Sequence, residues 1–104
     1  MVNFKEDLME SLIDLLGVLS EHKQRHNVNY FIGTLKNMIA IIQNIENPEL
    51  PNECIEKLRK MYKSMFFPRD GLSDFYILDS DATYMTKCNT QFSSLLNRID
   101  ALLE

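Results

Sequence analysis

The sequence predicts an all-α protein, an antiparallel four-helix bundle with a structured apolar connection between its third and fourth helices. Four segments repeat apolar residues every three or four positions, which is the period of a helix with one buried face. Two short connections and one longer one join them, as in an antiparallel bundle. With 45% apolar residues in 104, the chain can bury a core, and we expect one domain over residues 1–104.

The first predicted helix covers about Phe4 to Glu21, with Asn3 as its N-cap. Its apolar stripe consists of Phe4, Leu8, Leu12, Leu15 and Leu19, widened by Met9, Ile13 and Leu16. The second helix covers about Asn29 to Ile45. Gly33 lies inside it at a propensity cost of about 1 kcal/mol. We interpret this glycine as a sign that a neighbouring helix approaches closely.

The third predicted helix runs from about Asn52, its expected N-cap, to Phe66. Its inward residues are Ile55, Leu58, Tyr62, Met65 and Phe66. The fourth helix runs from about Asp81 to Leu103, with Asp79, Ser80 and Asp81 as candidate N-caps. Its stripe consists of Met85, Cys88, Phe92, Leu95, Ile99 and Leu102.

The connection between these two helices, FFPRDGLSDFYIL from Phe66 to Leu78, is the irregular segment that is both apolar and charged. Pro68 disfavours helical geometry at the residue before it, so the third helix should end there. Gly71 after Asp70 marks a turn. Five large apolar side chains follow the turn, and they must pack either on the helices or on a partner.

The net charge of −4 is distributed in blocks of alternating sign. Residues 1–21 carry five acids and one base, residues 57–69 carry five bases and no acid, and residues 70–81 carry four acids and no base. Such blocks are expected to pair with each other or to be solvated. An acidic chain without a dominant basic face argues against nucleic-acid binding.

Cysteine usage and hydropathy indicate the compartment. Two cysteines, Cys54 and Cys88, fit a reduced intracellular protein better than a secreted one. The apolar first segment contains four acids and is not a signal peptide, and no apolar span is long enough for a membrane. We therefore expect a cytoplasmic protein without a membrane partner.

Motifs for catalysis or metal binding are weak in this sequence. His22 and His26 have the spacing that puts two imidazoles on one helix face, but the glutamate of the HExxH motif is missing. The segment from Gly71 to Phe75 lacks the second glycine and the supporting sheet of a nucleophile elbow. A calcium loop beginning at Asp79 would need glycine at Tyr84. We expect no enzyme, no metal and no other cofactor.

The run from Met65 to Ile77 resembles a segment of small, uncharacterised bacterial helical proteins. In these proteins a glycine, an apolar residue, a polar residue, an acid and an aromatic residue precede the last helix. Some of them resemble immunity proteins, which neutralise a cognate toxin by binding it. The resemblance covers 13 residues. It implies a binding role and no catalytic residues.

The sequence therefore predicts a non-catalytic protein-binding module, and the resemblance indicates an immunity-type protein. Acids and aromatic residues together suit the centre of an interface and would steer a basic partner such as a nuclease toxin. The predicted partner-binding residues are Arg69, Asp70, Leu72, Asp74, Phe75 and Tyr76. Two alternatives stay open: a small metal-binding or enzymatic bundle that uses His22 and His26, and a structural homodimer. Phe75, Tyr76 and Ile77 could also close one end of the bundle.

Overall fold

The computed structural model describes residues 4–21, 28–66, 71–72, 77 and 80–103. These residues form four helices and contain no strand, which confirms the predicted all-α class. The helices are α1 (Phe4–Glu21), α2 (Val28–Gln43), α3 (Asn52–Lys63) and α4 (Ala82–Leu103).

Each helix packs against two others. The packed pairs are α1 with α2, α1 with α4, α2 with α3, and α3 with α4. The first turn of α1 meets the end of α2, because the Lys5 Nζ donates to the carbonyls of Ile45 and Asn47. The early part of α1 also meets the late part of α4 through the ion pair of Asp7 with Arg98. The four packed pairs close a ring of helices, which places α1 and α3 diagonally across the bundle.

One cluster of buried apolar side chains fills the space between the helices. Leu72 and Ile77 of the connection join the same cluster, to which α2 contributes Phe31, Ile32, Leu35, Met38, Ile39 and Ile42 at helical spacing. The largest fully buried side chains are Phe31, Leu8, Leu12, Leu15, Leu19, Leu35, Met38, Ile42, Leu58, Met65, Leu72 and Ile77.

Three residues that the sequence predicts to be in the core, Phe4, Ile13 and Leu102, are partly exposed. Phe4 is 37% exposed and Ile13 is 47% exposed, so the apolar stripe of α1 is narrower than predicted. At the end of α4, Leu103 is buried and Leu102 is only half-buried. The reason at Ile13 is geometric, because α1 already buries Leu8, Leu12, Leu15 and Leu19 against α2 and α4.

The helix ends differ from the predictions in detail. Asn52 is not a cap: the N-cap of α3 is Pro51, which has extended backbone and makes no side-chain cap bond. α3 ends at Lys63 instead of Phe66, since the amides of Met65 and Phe66 bond to carbonyls three residues earlier and tighten the last turn. At α4, the Asp81 carboxylate accepts from the amides of Thr83 and Tyr84 at 3.0 and 3.2 Å, as a helix cap does. Asn3 and Asp79 lie outside the described residues.

Gly33 does not mark a close helix contact. In the part of the chain that the structure describes, no atom from outside the local helix backbone lies within 4 Å of a Cβ added at this position. The predicted close approach is therefore wrong.

None of the described helices combines the length and the apolar character that a membrane crossing requires.

Candidate functional site

The connection between α3 and α4 is anchored to the core at two described points. Leu72 is fully buried, and its amide donates to the carbonyl of Met65 at 2.7 Å. Ile77 is fully buried as well. Leu72, which the sequence placed among the partner-binding residues, thus packs inside the bundle. Ile77 likewise belongs to the core, in agreement with the end-closing interpretation for this residue.

Asn89 of α4 fixes the position of Ile77, and sequence reasoning missed it. Its Oδ1 accepts from the Ile77 amide at 2.7 Å, and its Nδ2 donates to the Ile77 carbonyl at 2.9 Å. The same Nδ2 donates to the Met85 carbonyl at 3.0 Å. The sequence does contain a sign of this role, because Asn89 lies beside the apolar stripe, between Cys88 and Phe92. At such a position a side-chain amide can form hydrogen bonds with backbone groups of a non-helical segment.

The remaining residues of the predicted binding surface, Arg69, Asp70, Asp74, Phe75 and Tyr76, lie outside the described residues. So do His22 and His26. Across the described part of the chain, no group of three or more metal-ligating side chains comes together.

Both cysteines are free and half-buried. Burial raises the pKa of the Cys54 thiol, against the opposing charge of Lys57. A raised thiol pKa disfavours the thiolate, which is the nucleophilic form. At this thiol the effect of burial thus outweighs the charge of Lys57.

The acidic and basic blocks do not face each other. α1 carries five acids and α3 carries four bases, and these helices occupy diagonal corners of the bundle. Glu6, Glu10, Asp14 and Glu21 of α1 are exposed. The acidic block is thus largely solvated.

Exposed apolar side chains lie within this acidic region. Ile13 of α1 is 47% exposed and Tyr84 of α4 is 43% exposed, and both line a groove of about 370 Å³ between the two helices. Ile13 also lines an adjoining groove of about 540 Å³ with Met9 and Pro48. The Ile13 surface, as we call the two grooves that share Ile13, consists of Met9, Ile13, Gly17 and Tyr84 with the acids Glu6, Glu10, Asp14, Glu21 and Glu46 and the bases Lys5 and Lys87.

A third groove, of about 840 Å³, lies apart from the Ile13 surface, between α3 and α4. Tyr62 and Phe66 pack edge to face in it, with ring centroids 5.0 Å apart, and Arg59 and Lys63 give its α3 side a positive charge. Arg59 is engaged in the fold, because its Nε donates to the Leu103 carbonyl at the end of α4. We call this region the α3–α4 groove.

Tyr62 in the α3–α4 groove is a hydrogen-bond donor and not a base. Its hydroxyl donates to the Leu96 carbonyl at 3.2 Å. Burial, and then the hydrogen bond and negative charge of Asp100, raise the pKa of Tyr62 far above its ordinary value. The phenol consequently stays neutral at physiological pH and serves the packing of α3 on α4.

The grooves of the described surface are thus lined by apolar side chains and by charged side chains of both signs. The Ile13 surface escaped the sequence reasoning because Ile13 extends the apolar stripe of α1, so its period alone assigns it to the core. Comparisons with known protein families, with curated proteins and with solved structures found no match for this chain.

Proposed function

We propose that this chain is a non-catalytic protein-binding module whose partner is a basic protein. The observation that carries the proposal is the Ile13 surface, where two half-exposed apolar side chains lie among five acids and only two bases, Lys5 and Lys87. Interfaces commonly combine apolar or aromatic anchors with a polar rim.

The two kinds of side chain would contribute differently to binding. Fully burying an isoleucine side chain is worth about 1.5–3 kcal/mol, and because Ile13 is 47% exposed, covering the rest of it supplies about half of that as affinity. The acids, Glu10 and Asp14 among them, attract a basic partner over a distance and raise its association rate. Because that attraction is screened by salt, binding should weaken as ionic strength increases.

An immunity-type role is the specific form of this function that we propose. It is supported by the resemblance of residues 65–77 to the segment described above, and a basic nuclease toxin would suit an acidic surface. In this role the chain acts in the cytoplasm, which the two free cysteines favour. Asp70, Asp74, Phe75 and Tyr76 stay a predicted second contact region, in addition to the Ile13 surface.

The experiment is an affinity capture from lysate of the protein's own source. Wild-type protein is compared with Ile13→Gln, and the matched control is Ala40→Gln, which puts the same side chain on the exposed face of α2. We expect wild type and the control to retain one basic protein, released at high ionic strength. Ile13→Gln should retain about threefold to tenfold less of it, since about 1.4 kcal/mol corresponds to a factor of ten.

A further arm separates the two contact regions. The double variant Asp70→Lys, Asp74→Lys tests the connection while leaving the Ile13 surface intact. Loss of the partner in both arms would support a joint surface. If Ile13→Gln retains as much partner as wild type, the Ile13 surface is not the docking site.

A further inference from the structure

We infer that the α3–α4 groove binds a small apolar monocarboxylate, of the fatty-acid class, with the carboxylate at Arg59 and Lys63 and the alkyl chain between the two helices. The groove lies apart from the Ile13 surface, so the inference goes beyond the proposed protein-binding function and does not depend on it. Its volume of about 840 Å³ falls within the range of about 300–1,000 Å³ that is typical of small-molecule sites.

The groove combines an apolar floor with a charged rim, as small-molecule sites commonly do. Tyr62 and Leu103 are buried and Phe66 is half-buried, so these side chains form the floor. Lys63 and Asp100 are exposed and belong to the rim. An alkyl chain that lies on this floor leaves water, and each methylene group buried in this way tightens binding about fourfold.

The groove residues of α3 and of the turn that follows it lie on one side of the helix. Arg59, Tyr62, Lys63 and Phe66 occupy positions i, i+3, i+4 and i+7. At 1.5 Å per residue they extend over about 10 Å. Cations and aromatic rings therefore lie next to one another along the groove, and a ligand with one charged end and an apolar tail contacts both.

The charges of the groove suit a ligand with a single negative charge. Among the described lining residues, Arg59 and Lys63 contribute two positive charges and Asp100 contributes one negative charge, which leaves one positive charge in excess. Tyr62 adds no charge, because its phenol stays neutral. A monoanion balances this excess, whereas a cation would increase it.

Arg59 is held in place before any ligand binds. Its Nε donates to the Leu103 carbonyl, and its side chain is half-buried. A guanidinium also has donors on its terminal nitrogens, which match the oxygens of a carboxylate. Because the fold already orients this group, binding a carboxylate costs less side-chain entropy than it would at a mobile cation.

The test is isothermal titration calorimetry of the whole chain with octanoate, decanoate and octanol. We expect one carboxylate to bind per chain, with an affinity about fourfold higher for each methylene group added between octanoate and decanoate. Octanol, which has as many carbon atoms as octanoate but no charge, should bind more weakly. Binding of octanol as tight as that of octanoate, or no saturable binding of decanoate, would overturn the inference.

Three variants test the location of the ligand, at about 0.15 M salt to screen distant charges. Lys63→Gln should weaken decanoate binding about threefold, the size of an exposed ion pair. Asp100→Asn removes the opposing charge and should tighten binding by a similar factor. Lys60→Gln makes the Lys63 change at an exposed position of α3 that does not line the groove, and it should leave binding unchanged. A Lys63→Gln variant that binds decanoate as wild type does would contradict the inferred site.

A last arm separates a free carboxylate from an anionic lipid surface, which presents similar chemistry. The protein is centrifuged with vesicles of phosphatidylcholine and phosphatidylserine, and we expect it to stay in the supernatant. Cosedimentation with the vesicles would assign the basic groove to a lipid surface and overturn the inference. The proposed function is tested separately, since capture of a basic partner is read through Ile13→Gln.

Discussion

Asn89 holds the backbone of Ile77 from both sides, with its carbonyl oxygen on the amide and its nitrogen on the carbonyl. Between helices the chain loses its regular hydrogen bonds, and a buried backbone group without a partner is costly. The side-chain amide replaces the missing partners. Ile77 can therefore enter the core without an unsatisfied backbone, and its burial depends on one polar residue of α4.

Replacing this amide should destabilise the fold. We expect Asn89→Ala to lower the free energy of unfolding by about 2 kcal/mol, because hydrogen bonds are lost and the Ile77 backbone groups stay buried. Urea unfolding followed by circular dichroism measures the change. Asn97→Ala, at an exposed position of the same helix, controls for the gain in helix propensity. Equal stabilities for the two variants would show that the Asn89 hydrogen bonds contribute nothing.

At the scale of the helix, the sequence predicts the presence of each helix better than it predicts the residues at which the helix begins and ends. The apolar periods locate all four helices, and the bounds of α1 agree with the prediction at Phe4 and Glu21. The predicted N-cap of α3 was wrong. Asn52 is a good N-cap by residue type, but the extended backbone at Pro51 makes Pro51 the N-cap, one residue earlier. Local backbone geometry of this kind has no counterpart in the apolar pattern.

Gly33 provides a test at this scale. Since no neighbouring element among the described residues lies within 4 Å of a Cβ added here, Gly33→Ala should raise the free energy of unfolding by about 1 kcal/mol through helix propensity. Chemical denaturation of the variant measures it, and an unchanged m-value would show that the gain belongs to stability alone. A less stable variant would mean that a neighbouring element does require the glycine.

For the whole molecule, the all-α class follows from the four amphipathic periods, whereas the Ile13 surface does not. Ile13 is exposed because of where α2 and α4 lie around α1, and charge blocks in sequence do not tell which helices become neighbours. The connection shows the same limit. The composition of residues 66–78 fits both burial and partner contact, and the packing of Leu72 and Ile77 decides in favour of burial for these two.

The acids that are crowded on α1 attract a basic partner in the proposed function, but their mutual repulsion should lower the stability of the fold. Glu6, Glu10 and Asp14 follow one another at four-residue spacing, so like charges are neighbours on the helix surface. Glu10→Lys converts two repulsive pairs into attractive ones and should stabilise the dilute protein by about 1 kcal/mol. Thermal unfolding at low salt measures this gain, with Glu49→Lys outside the helices as the control. A destabilised Glu10→Lys variant would contradict the explanation.

The diagonal placement of acidic α1 and basic α3 gives the molecule an electric dipole moment across the bundle. In the field of an approaching basic protein, such a dipole experiences a torque that turns α1 towards the partner before the surfaces touch. The two proteins then reach part of their correct relative orientation while they are still diffusing towards each other. Charge neutralisation far from any contact, for example on α3, would slow the encounter while leaving the lifetime of the complex unchanged.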